Sequence, residues 1–150
     1  MILLDTDHIS TLQVPSSDRR VRLVNRLAQV AAAGEVIGTT IVTIEEQMRG
    51  WLAAIARERR PHRQTGPYRE LARLFEFFRP FHHALFDERA ADIFEQFARI
   101  RIGTMDKKIA SIALVNRALL LTANRWDYEQ IPGLRFENWM DPPPATGAVP

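Results

Sequence analysis

The chain has 150 residues, 20 basic against 18 acidic for a formal net charge of +2, 46% hydrophobic residues and no cysteine. This fits one globular domain with its own core and excludes disulfides, a thiolate nucleophile and any cysteine-based zinc or iron–sulfur site. The near balance of charge excludes binding to nucleic acid by bulk charge alone. Of the 20 basic residues, 18 are arginine, which suits bidentate phosphate contacts; GC-rich codon usage gives the same bias.

Met1–Leu4 is a continuous apolar run ending at Asp5, the pattern of a strand buried on both faces. From about Asp18 to Ala33, Val21, Val24, Leu27, Ala28 and Ala31 recur at helical spacing, and Gly34 supplies a stop. Glu35–Thr40 reads as a second strand. A helix from about Val42 to Arg60 follows, with Met48, Trp51, Leu52 and Ile55 as its apolar stripe and Pro61 as its terminator. Arg57–Gly66 is polar and basic and reads as a loop. Pro67 is placed to start a helix to about Arg79, with Leu71, Leu74, Phe75 and Phe78 on one face. Phe81–Phe86 is a weaker strand candidate, and Asp87–Arg99 an amphipathic helix with Ala90, Ala91, Phe94 and Phe97 inward. A helix over about Met105–Arg117 precedes the apolar strand Ala118–Thr122, and Leu134–Glu137 fits a last strand. The tail 141–150 holds four of the nine prolines and reads as disordered, leaving a domain over 1–140. Short apolar strands alternating with helices predict an α/β fold with a mainly parallel sheet. No window reaches the ~20 apolar residues of a membrane span. Met1–Leu4 lacks the basic start and apolar length of a signal peptide, so a cytoplasmic location is expected.

Sites in open parallel sheets lie beyond the carboxyl ends of the strands. Asp5 falls there directly, and Asp127 lies in the loop after the strand at 119–121. Each alone is equally an ordinary turn or cap residue. Asp106 opens a helix whose Ile109, Ala110, Ala113 and Leu114 mark a sheet-packing face, so it sits on the first turn of a buried face. Glu45 and Glu46 open the helix after the second strand. The helical wheel favours Glu45, which flanks the apolar stripe, but a helix beside a groove can use either side. Three or four carboxylates at one sheet edge repel unless a cation joins them. An all-oxygen set suits Mg²⁺ or Mn²⁺ rather than zinc, and such ions serve phosphodiester cleavage.

These segments resemble a known family. Leu4-Asp5-Thr6-Asp7 resembles the opening motif of PIN domains, and Glu45-Glu46-Gln-Met-Arg-Gly50 their second, an acid four residues before a glycine. Asp106-Lys-Lys-Ile-Ala-Ser-Ile-Ala113 resembles the third, and Leu121–Trp139 the closing segment of the VapC subgroup. The resemblance implies a PIN-like three-layer fold with a central, mainly parallel sheet of about five strands flanked by helices. It implies a Mg²⁺- or Mn²⁺-dependent endoribonuclease, the toxin of a type II toxin–antitoxin pair, restrained by a cognate antitoxin and homodimeric. By motif position, Asp5, Glu46, Asp106 and Asp127 are its catalytic, metal-binding acids, with Glu46 chosen over Glu45 because it precedes Gly50 by four. Thr6 and Asn124 are its substrate contacts, Thr6 also orienting Asp5, and Asp7 is a possible extra carboxylate. Two rival readings are a catalytically idle PIN-fold binding module, against which the retention of four acids argues, and a nuclease of the same fold acting on another nucleic acid. The run from Arg57 to Arg73, six arginines against two glutamates, is equally a solvated loop or a guide for an RNA backbone. The four histidines lack metal-ligand spacing. Trp51 is assigned to the core, Trp139 to anchoring the chain end, and Trp126 to packing rather than base stacking.

Overall fold

The computed structural model describes residues 1–142; most of the tail, positions 143–150, lies outside the described residues. Five strands, β1 (Ile2–Leu4), β2 (Ile37–Thr40), β3 (His82–Ala84), β4 (Leu119–Leu121) and β5 (Arg135–Glu137), form one sheet in the order β3-β2-β1-β4-β5, every pairing parallel. Around it lie α1 (Thr6–Gln13), α2 (Asp18–Ala32), α3 (Ile41–Arg57), α4 (Pro61–Phe78), α5 (Glu88–Gln96), α6 (Thr104–Val115) and the single turn α7 (Arg125–Tyr128). This is the expected PIN-like α/β architecture, with β1 at its centre.

The three layers follow from side-chain alternation. Leu3 and Leu120 point to one face, where they meet Ala90 of α5 and Ile109, Ile112 and Ala113 of α6. Ile2, Leu4 and Leu121 point to the other, where they meet Ile9 of α1, Leu23 and Leu27 of α2, and Leu74 and Phe78 of α4. Strands covered on both faces must be apolar throughout, and each fully buried leucine is worth about 1.5–3 kcal/mol over exposure. β3 closes one edge by a very close approach to β2: a Cβ on Gly38 would stand 2.4 Å from the His82 carbonyl oxygen, so only glycine fits.

The chain departs from the sequence reading at several points. α1 had no periodic signal; with two buried residues, His8 and Ile9, it is too short to show a stripe. On α2 the inward face is Leu23 and Leu27, while Val21, Val24, Ala28 and Ala31 are exposed. Branched leucine, rather than the more numerous valines and alanines, defines the packed side. α4 begins at Pro61, not Pro67. Pro61 sits at the first helical position, where its missing N–H costs nothing, and Pro67 is carried inside the helix. Residues 57–66 are therefore a tight α3–α4 turn running into a helix, not a loop. On α4, Phe78 is buried but Phe75 is exposed. Trp139 is buried, and Trp51 packs partly against the same cluster. Trp126 is 82% exposed and has no packing role.

Candidate active site

Strand order reverses about β1: β2 and β3 are added on one side of it and β4 and β5 on the other, all parallel. Sites in such sheets lie at this switch point, beyond the carboxyl ends of the strands, and there Asp106 is charge-coupled to Asp5, Asp127 and Glu46. Asp5 ends β1 and is 5% exposed. It caps α1, accepting from Thr6 N at 2.7 Å, and accepts from Thr122 Oγ1 at 2.8 Å; its own N–H donates to the Leu121 carbonyl at 3.0 Å. Thr122 follows β4, so one hydroxyl ties the carboxyl ends of β1 and β4 together at this carboxylate.

Glu46 lies on the second turn of α3. Thr40 positions that helix by capping it, its Oγ1 accepting from Thr43 N at 3.0 Å. Thr6 Oγ1 donates to Glu46 Oε2. Glu45 turns the other way and pairs with Arg49. The geometry thus joins Glu46, and not the wheel-favoured Glu45, to Thr6 next to Asp5 in sequence, and sets its charge against Asp106. The expected apolar stripe is inward only in part: Ile55 is buried, Met48 and Trp51 are half-buried and Leu52 is exposed, so it does not mark the side on which an acid reaches the site.

Asp106 is on the first turn of α6, whose cap, Gly103, offers no side chain. A Cβ there would stand 2.7 Å from Asp106 Oδ2, so the glycine clears space for the carboxylate. Tyr128 Oη donates to Asp106 Oδ1 at 3.3 Å. Asp127 accepts from Asn124 Nδ2 at 2.9 Å, so the nitrogen of the expected substrate contact Asn124 is used inside the fold. Thr6, the other expected contact, is likewise engaged with Glu46.

Asp7 sits on the rim. Its Oδ2 accepts from Ala123 N at 2.6 Å and its Oδ1 meets His8 Nδ1 at 2.6 Å. Trp139 N–H donates to His8 Nε2 at 3.3 Å, which leaves Nδ1 as the protonated nitrogen. Both Asp7 oxygens are therefore held by protein donors, and Asp7 ties α1 to the loop after β4. His8 is fully buried and belongs to this tie.

The electrostatics are those of crowded acids without a counter-charge. Burial, then the neighbouring Asp7 and Asp106, push the Asp5 carboxyl up to about 7. Burial also raises Asp106; the Tyr128 hydrogen bond opposes this, and Asp127 and Glu46 add to it. Burial and the flanking Asp5 and Asp106 raise the Tyr128 hydroxyl, which keeps it a donor. Among the described residues, none of Asp5, Glu46, Asp106 and Asp127 is ion-paired with lysine or arginine. As placed, no three acidic or histidine side chains among the described residues form a ready-made ion-binding group. Such a set is all oxygen, repulsive and short of a cation; in donor chemistry it fits Mg²⁺ or Mn²⁺. Sequence reasoning missed Thr122 and Tyr128 as site residues. Each adjoins a residue it did single out, Thr122 at a strand's end and Tyr128 next to Asp127.

The sheet order and its flanking helices are those of a PIN-like α/β fold. No family model matches the chain, and no curated protein matches it. Solved structures do. A chain of VapBC from Salmonella typhimurium bound to DNA is 24% identical with a TM-score of 0.68, covering 93% of this chain and 99% of that one. A chain of VapBC2 from Rickettsia felis, bound to a DNA fragment from their promoter, is 20% identical with a TM-score of 0.68 over the same shares. A chain of VapBC-1 from nontypeable Haemophilus influenzae is 20% identical with a TM-score of 0.67, covering 94% of this chain and all of that one. These likenesses extend over nearly the whole chain and establish a shared fold. No helix among the described residues is long and apolar enough to cross a membrane.

Proposed function

We propose that this protein is a VapC-like toxin, a Mg²⁺- or Mn²⁺-dependent endoribonuclease that works as a homodimer in the cytoplasm and is restrained by a cognate antitoxin protein. The observation that carries this reading is the charge coupling of Asp106 to Asp5, Asp127 and Glu46, with none of the four paired to a lysine or arginine among the described residues. A fold shared with chains of VapBC complexes supports it. In this reading the four acids hold the ion, which would supply an activated water and offset charge on the phosphate. The rest of the site orients those acids. Thr122 and the Thr6 N–H fix Asp5, Thr6 Oγ1 fixes Glu46, Tyr128 fixes Asp106, and Asn124 fixes Asp127. The first role of Thr6 and Asn124 is therefore to hold two of the acids, with substrate contact as a second.

The test is cleavage of RNA by the purified protein with Mg²⁺, Mn²⁺ or EDTA, beside Asp5→Ala and Asp106→Ala. Cleavage that needs the ion and disappears in both folded variants is expected. Cleavage that persists in EDTA, or in either folded variant, overturns the mechanism. No cleavage under any condition favours the idle binding module.

A further inference from the structure

We propose that the tip of the α3–α4 hairpin is a second contact surface for single-stranded RNA, separate from the acidic site. This deepens the nuclease reading and rests on it for the choice of RNA. Arg57, Arg59, Arg60, Arg63 and Arg69 are all exposed, and none is ion-paired among the described residues. The contrast along the same helix is direct: Arg73 pairs with Glu70 and Arg79 with Glu76. The one acid within 57–69, Glu58, is turned onto the backbone, its Oε1 accepting from Arg60 N at 2.9 Å. It closes the turn and neutralises no guanidinium.

The tip is also built to stay in place. Gln64 Nε2 donates to the carbonyls of Ile55 and Glu58 at 3.2 and 2.8 Å, fastening the start of α4 to the end of α3. Beside the arginines, Tyr68 is 54% exposed and stacks on no other ring among the described residues. Unpaired guanidinium groups that track phosphates, with an aromatic face free to stack a base, are the elements of single-strand binding. A bilayer is a poorer occupant, because residues 57–69 carry no aliphatic, phenylalanine or tryptophan side chain to insert. Glu46 and Arg57 stand on the same helix, about 16 Å apart along its axis, so an RNA held at the tip can extend toward the acids.

The test uses the full chain, a fluorescently labelled single-stranded RNA of about 20 nucleotides and anisotropy in EDTA, where binding is read without cleavage. The Arg59→Ala/Arg60→Ala/Arg63→Ala variant is expected to bind at least about tenfold more weakly. Its log-affinity against log-salt slope should be shallower by about 2, the share of three phosphate contacts on a single strand. Tyr68→Ala is expected to weaken binding about tenfold with the slope unchanged. Far-UV circular dichroism checks that these surface variants are folded. Unchanged affinity and slope in the triple variant overturn the proposal. So does loss of binding to phosphatidylglycerol vesicles alone, with RNA binding intact. If Asp5→Ala and Asp106→Ala keep cleaving, the nuclease mechanism fails while this binding result still stands.

Discussion

Tyr128 Oη lies 3.3 Å from Asp106 Oδ1 and joins the turn after β4 to the first turn of α6. The ring is fully buried, so the hydroxyl has no water to fall back on. Tyr128→Phe keeps the packing and deletes the donor. Loss of one such hydrogen bond is expected to lower stability by about 1 kcal/mol. It should also raise the proton affinity of Asp106, because that bond opposes burial there. Mn²⁺ titrations at a series of pH values should then show the onset of binding moved to higher pH. An unchanged onset would reduce Tyr128 to a core residue.

Asp5 makes the ion-free protein pH-sensitive. Its folded carboxyl is raised to about 7 from 3.8, so the folded state holds the proton more tightly than the unfolded chain. The contribution of Asp5 to stability is complete below about pH 4 and is lost as pH rises through about 7. The full effect is roughly 4 kcal/mol, from a shift of about three pH units. Urea unfolding in EDTA should show this decline, and Asp5→Asn should flatten it. A parent protein equally stable at pH 5 and pH 8 would contradict the burial argument.

The two glutamates of α3 should separate cleanly. Glu46→Ala removes the partner of Thr6 Oγ1 at the site, whereas Glu45→Ala removes a surface pair with Arg49. Exposed pairs of that kind are worth about 0.3–0.5 kcal/mol. Calorimetry should find Mn²⁺ affinity at least about tenfold lower for Glu46→Ala and within about twofold of the parent for Glu45→Ala, each tenfold step being about 1.4 kcal/mol. The reverse order would reassign the acid.

Gly103→Ala tests the cleared space. The added Cβ meets a mobile carboxylate rather than backbone, so Asp106 swings aside and the helix survives. Melting should change little, because the cap position costs only about 1 kcal/mol. Mn²⁺ affinity should fall with Asp106 displaced. Parent-like affinity would mean that Asp106 is not a ligand.

Asp7→Asn should do the opposite. It breaks the tie among His8 Nδ1, Asp7 and Ala123 N and is expected to cost about 2 kcal/mol, the range for hydrogen bonds to a charged group. It also removes a charge that raises Asp5. Ion affinity at neutral pH should hold or improve. A tenfold loss would place Asp7 among the ligands instead.

Much of this was legible in the residues because burial leaves a simple mark. β1 and β4 are leucine-rich on both faces, and the acids after them could be placed at the sheet's carboxyl edge without coordinates. Short-range devices were not legible. α1 is too brief for periodicity, and the inward side of α2 was decided by two leucines among many small residues. Pro61, read from the sequence as the stop of α3, starts α4 instead, and Gln64 fastens that start to the end of α3. The orienting groups were hidden for another reason: Thr6 with Glu46, and Tyr128 with Asp106, are 40 and 22 positions apart, and no local pattern reports such pairs.

The hydrogen bond from Thr122 to Asp5 spans 117 positions, and β4 pairs with β1 along its whole length. The seat of Asp5 is thus completed by residues more than a hundred positions downstream. During synthesis, a ribosome-bound chain that has not yet delivered Leu119–Thr122 carries Asp5 and Glu46 but lacks the strand that seats them. Contacts this distant in sequence form late. Whatever chemistry the acids perform is therefore withheld from the nascent protein until Leu119–Thr122 have been made and paired with β1.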